Sequence, residues 1–86
     1  MIYIISNGNE IKIGKSKHPK KRLKQLQTGC AKNLQLLKIY DVPDYYEKRI
    51  HHILRNFRFR FKSEWFYCHD LNFLLITIDN ILNNGK

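Results

Sequence analysis

The stretch that decides the fold is residues 2–15, which read IYIISNGNEIKIGK. It contains two isoleucine-rich runs separated by Asn7-Gly8, a dipeptide that is the strongest short signal for a tight turn between β-strands. We therefore predict that the chain opens with a β-hairpin. A two-residue turn would place Tyr3 opposite Lys12 on one face of that hairpin. The other face would carry four isoleucines, with Ile4 facing Ile11 and Ile2 facing Ile13.

The rest of the chain predicts an α+β domain. A helix is expected to begin near Pro19, and a third strand follows over residues 34–40. A second helix should begin at Asp44, and a third, capped by Asp70, has apolar residues at a 3.6-residue period. Between these two helices, residues 58–67 are predicted to be irregular or a short edge strand. The expected fold is a small three-stranded antiparallel sheet flanked by helices, in the order β-β-α-β-α-(β)-α.

Length and composition limit the chain to one small globular domain. Its 86 residues are too few for a second core, so residues 1–86 are treated as a single domain. The hydrophobic share of 43% is too high for a disordered chain. No apolar run approaches the roughly 20 residues needed to span a bilayer, and the first residues do not resemble a signal peptide. We expect an intracellular protein, cytoplasmic or nuclear, with no membrane partner.

Positive charge is concentrated in the first half of the chain. The sequence has 16 Lys and Arg against 7 Asp and Glu, and residues 11–40 hold nine of these bases and no acid. This excess favours a polyanionic partner, nucleic acid first and an anionic membrane surface second. Phenylalanines alternate with bases over residues 57–62, which fits either base stacking or an edge strand with arginines on phosphate, and we favour the edge strand. The bases expected to contact nucleic acid are Lys15, Lys17, Lys20, Lys21, Lys24, Arg58, Arg60 and Lys62.

Four short segments occur in order along the chain: MIY at 1–3, KIGK at 12–15, RLKQLQTG at 22–29 and EWF at 64–66. Between the last two, Glu47 precedes His51 by four residues, which is about one helical turn. Together these features resemble the GIY-YIG nuclease superfamily, and most closely its phage- and virus-associated branch. The resemblance covers most of the chain. It implies a metal-dependent endonuclease that hydrolyses phosphodiester bonds in DNA and leaves a 5′-phosphate and a 3′-hydroxyl.

By this resemblance the candidate catalytic residues are Tyr3, Lys12, Arg22, Glu47 and His51. Arg22 would stabilise the negative charge that gathers on the phosphate, and Glu47 would hold one Mg²⁺ or Mn²⁺. Tyr3 and Lys12 would position or deprotonate the attacking water. Lys12 stands where the family has its second Tyr, so it is either a base or a cationic clamp on the phosphate, and we favour the clamp. His51 is expected to hydrogen-bond Glu47 or the substrate.

Alternatives to this interpretation follow from the same residues. Asp44-x-x-Glu47 resembles a helix capping box, which would explain the glutamate without an active site. The histidines and cysteines do not have the spacing of a zinc site. The alternative function is a catalytically inactive basic module that binds nucleic acid. Contacts to phosphate do not report base identity, so specificity is expected to be low or to come from a homodimer or a partner protein.

Overall fold

The structure is a computed structural model that describes residues 1–56, 60–62, 65–67 and 70–84. The strands are β1 (Ile2–Ser6), β2 (Glu10–Lys15), β3 (Gln35–Tyr40), β4 (Arg60–Lys62) and β5 (Trp65–Tyr67). The helices are α1 (Pro19–Thr28), α2 (Tyr46–Asn56) and α3 (Leu71–Asn84). These elements confirm the predicted α+β class. No helix in the described ranges is long and apolar enough to cross a membrane.

The strands form one antiparallel sheet in the order β3-β1-β2-β5-β4. The three strands predicted from the sequence occupy one half of it. The segment predicted as irregular or a short edge strand supplies the other half, because β5 pairs with β2 and β4 pairs with β5. The sheet is therefore wider than the expected three strands. One consequence is that Trp65 of β5 becomes the cross-strand partner of Lys12.

The turn of the β1–β2 hairpin lies one residue later than predicted, at Gly8-Asn9. The Asn7 amide donates to the Glu10 carbonyl at 3.1 Å, and Gly8 has a φ of +105°, which glycine adopts without strain. The Asn7 side chain holds this turn, because its Oδ1 accepts hydrogen bonds from the amides of Asn9 and Glu10 at 3.1 and 2.8 Å. Asn7 is therefore the first residue of the turn, which its side chain stabilises, and not one of the two central residues.

This turn shifts the hairpin register by two residues. Tyr3 faces Gly14 and not Lys12, and Lys12 faces Ile5. The predicted register is therefore wrong, but side chains alternate with a period of two, so each one keeps its predicted face. Tyr3 and Lys12 still share one face of the sheet. The opposite face still carries the four isoleucines Ile2, Ile4, Ile11 and Ile13.

The sheet separates two apolar clusters. On the isoleucine face, α2 and α3 pack with the buried residues Tyr46, Ile50, Leu54, Leu74, Ile78 and Leu82. On the face of Tyr3 and Ile5, α1 packs through Leu23 and Leu26. The predicted cap of α3 is confirmed, because Oδ1 of Asp70 accepts a hydrogen bond from a first-turn amide at 3.0 Å. Helix α1 thus covers the face that carries Tyr3 and Lys12.

Candidate active site

One cavity of about 170 Å³ collects four of the five predicted catalytic residues. Tyr3 comes from β1, Lys12 from β2, Arg22 from α1 and Glu47 from α2. The other described residues that line it are Ile13, Gly14 and Lys15 of β2. The cavity therefore depends on the packing of four separate elements.

Tyr3 is buried and lies against the backbone of Gly14. Its side chain is 2% exposed. A Cβ atom built on Gly14 would overlap the hydroxyl oxygen and the Cζ atom of Tyr3, so this position accepts no side chain while the ring stays where it is. Because Gly14 also lines the cavity, the close approach holds the phenol at its wall.

Lys12 is the one buried charged residue in the described part of the chain, with an exposure of 6%. Its Nζ lies 6.0 Å from the centroid of the Trp65 ring. This is within the range of a cation–π interaction, in which an ammonium is attracted to the face of an aromatic ring. The neighbouring strand β5 thus helps to hold the amino group of Lys12 at the cavity.

Arg22 and the predicted DNA-binding lysines between residues 15 and 24 lie on the surface. The Nη1 atom of Arg22 donates to Oε1 of Gln25 at 3.4 Å, which steadies the guanidinium from one side. The exposed lysines of this region are Lys15, Lys17, Lys20, Lys21 and Lys24. Arg60 and Lys62 lie on strand β4. Arg58 lies outside the described residues.

Glu47 is the second residue of α2, which begins at Tyr46 and not at the predicted Asp44. A capping box would need the glutamate at the third helical position and the Asp44 side chain on its amide. The Glu47 amide instead donates to the Asp44 backbone carbonyl at 3.1 Å, and the Asp44 carboxylate accepts from the amino group of Met1 at 3.2 Å. The Glu47 carboxylate lines the cavity, where the positive end of the helix dipole favours a negative charge.

His51 joins α2 to strand β2. Its Nε2 lies 2.8 Å from the Ile13 carbonyl oxygen and 3.6 Å from Oε1 of Glu47. A carbonyl oxygen only accepts, so Nε2 carries the hydrogen in this arrangement. The ring also packs 5.0 Å from that of Phe66. The sequence predicts that His51 hydrogen-bonds Glu47 or the substrate, and in the structure its Nε2 bonds the backbone carbonyl of Ile13 with Glu47 at ion-pair distance.

Among the described residues, the cavity offers a divalent cation one carboxylate, that of Glu47. The described residues bring together no group of three His, Cys, Asp or Glu side chains. Glu47 is the only acid among the described lining residues. A carboxylate oxygen suits Mg²⁺ or Mn²⁺, and such ions commonly complete their coordination with water and phosphate oxygens. The donor set therefore fits a cation that binds together with the substrate.

Sequence reasoning missed two residues that shape this cavity. Trp65 contacts Lys12 across the β2–β5 ladder, and Gly14 makes room for the Tyr3 ring. Both lie inside the quoted segments EWF and KIGK, which is the signal that marks them. Their contacts depend on strand pairing, so the sequence alone does not reveal what each of them touches.

The chain was compared with known proteins. The model of a family described as the T5orf172 domain matches residues 1–84. No curated protein and no solved structure matches the chain significantly.

Proposed function

This chain belongs to the T5orf172 domain family, and on that basis we propose that it is a small metal-dependent endonuclease acting on DNA. The observation that carries the proposal is the cavity shared by Tyr3, Lys12, Arg22 and Glu47. This cavity is lined by a carboxylate, a phenol and several cationic side chains, which are groups that phosphodiester hydrolysis uses. The resemblance to GIY-YIG nucleases supports the same reaction, with a 5′-phosphate and a 3′-hydroxyl as products.

Cations on two sides of the cavity would bind the scissile phosphate. Arg22 and Lys15 are exposed at its rim, and Lys12 is buried in its wall. Negative charge on the non-bridging oxygens increases as water attacks phosphorus. Fixed cations therefore stabilise the transition state more than the ground state, which lowers the barrier.

Lys12 serves as the clamp and Tyr3 as the group that acts on water. The amino group of Lys12 lies over the Trp65 ring at 6.0 Å, as an ammonium in a cation–π contact does. An ammonium donates hydrogen bonds but has no lone pair with which to accept a proton. Tyr3 is then the cavity residue that orients the attacking water and assists its deprotonation.

Glu47 would hold the divalent cation, Mg²⁺ or Mn²⁺. When bound, the cation would neutralise charge on the leaving oxygen. His51 supports this arrangement as a positioning residue. Its hydrogen bond to the Ile13 carbonyl fixes the middle of α2 beside β2, and it lies 3.6 Å from the Glu47 carboxylate.

A DNA-binding module without turnover is the second candidate function. Lys12 replaces the second tyrosine of the family to which the chain is similar. One turn after Arg22, where such nucleases often have His or Tyr, this chain has Leu26, which packs with Tyr3 in the apolar cluster. Both substitutions remove a group that could carry a proton, while the basic surface remains.

The test is incubation of the purified chain with supercoiled plasmid in Mg²⁺, Mn²⁺ or EDTA. We expect nicking with either cation and none in EDTA, and nicks that DNA ligase reseals because the ends are a 5′-phosphate and a 3′-hydroxyl. Glu47→Gln should abolish nicking and leave DNA affinity equal or higher. Glu10→Gln, at the far end of β2, is the matched control that loses the same charge and keeps activity.

Two results would change this assignment. Nicking that persists in EDTA or in Glu47→Gln would overturn the metal-dependent mechanism. Tight DNA binding with no nicking under any of these conditions would favour the binding module.

A further inference from the structure

A second and larger cavity lies at the start of α1. Its volume is about 510 Å³, and its lining residues are Lys17, His18, Pro19, Lys20, Lys21 and Ile39. This volume is within the range of sites that hold small organic ligands. It exceeds what a phosphate group alone would fill, so the cavity has room for a larger group beside the phosphate.

The sheet register places the two cavities side by side. Tyr3 faces Gly14 on one side and Ile39 of β3 on the other, so the three residues form one row across three strands. Residues directly opposite each other on neighbouring strands point to the same face, and such strands are about 4.8 Å apart. Gly14 lines the active-site cavity and Ile39 lines the larger one, with Tyr3 between them. Gly14 and Ile39 are therefore two strand spacings apart, about 10 Å, which equals about three steps of 3.4 Å between stacked nucleotides of a DNA strand.

The larger cavity combines cations with an exposed apolar side chain. Lys17, Lys20 and Lys21 are exposed and have no ion-pair partner within the described ranges. Ile39 is 41% exposed, which leaves a branched apolar surface among these ammonium groups. A ligand that satisfies both features carries negative charge and a flat apolar face. A nucleotide has both, in its phosphate and in its base.

We propose that this cavity binds a nucleotide within about three steps of the scissile phosphate, with its base unpaired against Ile39 and its phosphate on Lys17, Lys20 and Lys21. A base inside a duplex is stacked between its neighbours, so its face reaches a side chain only after unstacking. The inference rests on the proposed nuclease function. It narrows the substrate to DNA with an unpaired nucleotide within a few steps of the cleaved bond, such as a single-stranded flap or a splayed end.

Binding in EDTA, where no turnover is expected, tests this inference. Two DNAs of equal length are compared at one salt concentration: a blunt duplex, and a duplex with a single-stranded overhang that carries 2-aminopurine. We expect the overhang DNA to bind at least about fivefold tighter, which is the scale of the apolar contact between one base and the Ile39 side chain. The 2-aminopurine fluorescence should change on binding.

Ile39→Asn should remove the preference and the fluorescence change, while affinity for the blunt duplex stays within about twofold, because the lysines bind phosphate in both DNAs. The matched control is Ile76→Asn on α3, where the isoleucine is 58% exposed and lies outside both cavities. Ile76→Asn should change neither the affinity for the blunt duplex nor that for the overhang DNA. If Ile39→Asn melts at a lower temperature than the wild type, Ile39→Ala replaces it in the assay. Ile39→Ala must then also reduce the preference for overhang DNA over the blunt duplex.

Three results would overturn the subsite. The first is equal affinity of the wild type for the two DNAs. The second is a loss of affinity in Ile39→Asn that is the same for the blunt duplex and for the overhang DNA. The third is displacement of the overhang DNA alone by anionic lipid vesicles, which would show that the cavity binds a lipid surface. Failure to bind either DNA would remove the nuclease function and the subsite with it. Duplex binding and plasmid nicking that persist with no effect at Ile39 would remove the subsite alone.

Discussion

The ring of Tyr3 lies against Gly14, its partner across the β1–β2 ladder, so closely that a Cβ atom at position 14 would overlap the phenol. The ring has little freedom to move away, because Tyr3 is 2% exposed and packs in the cluster under α1. The glycine and the tyrosine are thus one steric unit. Any side chain at position 14 has to displace the group that we assign to the attacking water.

We therefore expect Gly14→Ala to lower the free energy of unfolding by about 1–3 kcal/mol, as overpacked cores do. It should also reduce plasmid nicking by more than about tenfold, because Tyr3 is displaced. Thermal melting and nicking assays measure the two effects. Gly29→Ala is the control, because Gly29 has a φ of −97° and nothing lies within 4 Å of a Cβ there. A fully active Gly14→Ala would argue against the role of Tyr3.

Substitutions at Lys12 test the clamp. Lys12→Met removes the charge but keeps a long flexible side chain, and we expect it to slow single-turnover cleavage by about 10²–10³-fold, as loss of one electrostatic donor does. Lys12→Arg should retain more activity than Lys12→Met, since it keeps the cation. Tyr3→Phe should be at least as damaging as Lys12→Met. Wild-type rates in Lys12→Met would show that Lys12 has no catalytic part, and an inactive Lys12→Arg beside an active Tyr3→Phe would reverse the two roles.

Binding to duplex DNA should weaken steeply with salt. Residues 11–40 hold nine bases and no acid, and each phosphate contact contributes about 0.9 to the slope of log affinity against log salt. Lys20→Gln and Lys21→Gln are each expected to lower this slope by about 0.9 in a fluorescence anisotropy titration. Lys32→Gln, in the loop beyond the far end of α1, should leave it unchanged. An affinity that does not vary with salt would exclude DNA as the partner.

Asp79 on α3 is expected to make stability depend on pH. The Tyr40 hydroxyl donates to its Oδ1 at 2.5 Å, and Nζ of Lys38 lies 3.2 Å from Oδ2. The hydrogen bond from Tyr40, and then the contact with Lys38, hold the pKa of Asp79 below its ordinary value of 3.8. A carboxyl with a lowered pKa in the folded state stabilises the fold above pH 3.8, and this stability is lost as the pH falls through the folded-state pKa.

Asp79→Asn should consequently lower Tm at pH 7, and the difference from the wild type should shrink below pH 3.8. The Asp79 side chain is 38% exposed, so solvent screening limits the effect to about 1 kcal/mol or less. For a chain of this size that corresponds to a shift in Tm of at most about 4–8 °C. Asp41→Asn, an exposed acid in the loop after β3, is the control in melting curves across pH. A difference in Tm between the wild type and Asp79→Asn that stays constant down to low pH would contradict this account.

Local structure in this chain is predictable because it depends on neighbouring residues. The period of two in residues 2–5 and 11–13 predicts which side chains share a face, and the structure confirms those faces. The apolar period of 3.6 after Asp70 predicts α3, and the side chain of Asp70 caps it. The hairpin register is less predictable, because the side chain of Asn7 moves the turn by one residue. Pairing of β5 with β2 joins segments far apart in sequence, so the wider sheet is not predictable from the local pattern.

By itself the sequence determined which chemical groups the chain possesses: a phenol, an amine, a guanidinium and a carboxylate in segments that resemble those of a nuclease. Only the tertiary structure decided that Tyr3, Lys12, Arg22 and Glu47 line one cavity and that His51 bonds to the carbonyl of Ile13, with Glu47 3.6 Å away. The reason is physical. Helix and turn preferences act over a few residues, whereas the distances in the cavity result from strand pairing and from the packing of α1 and α2 on opposite faces of the sheet.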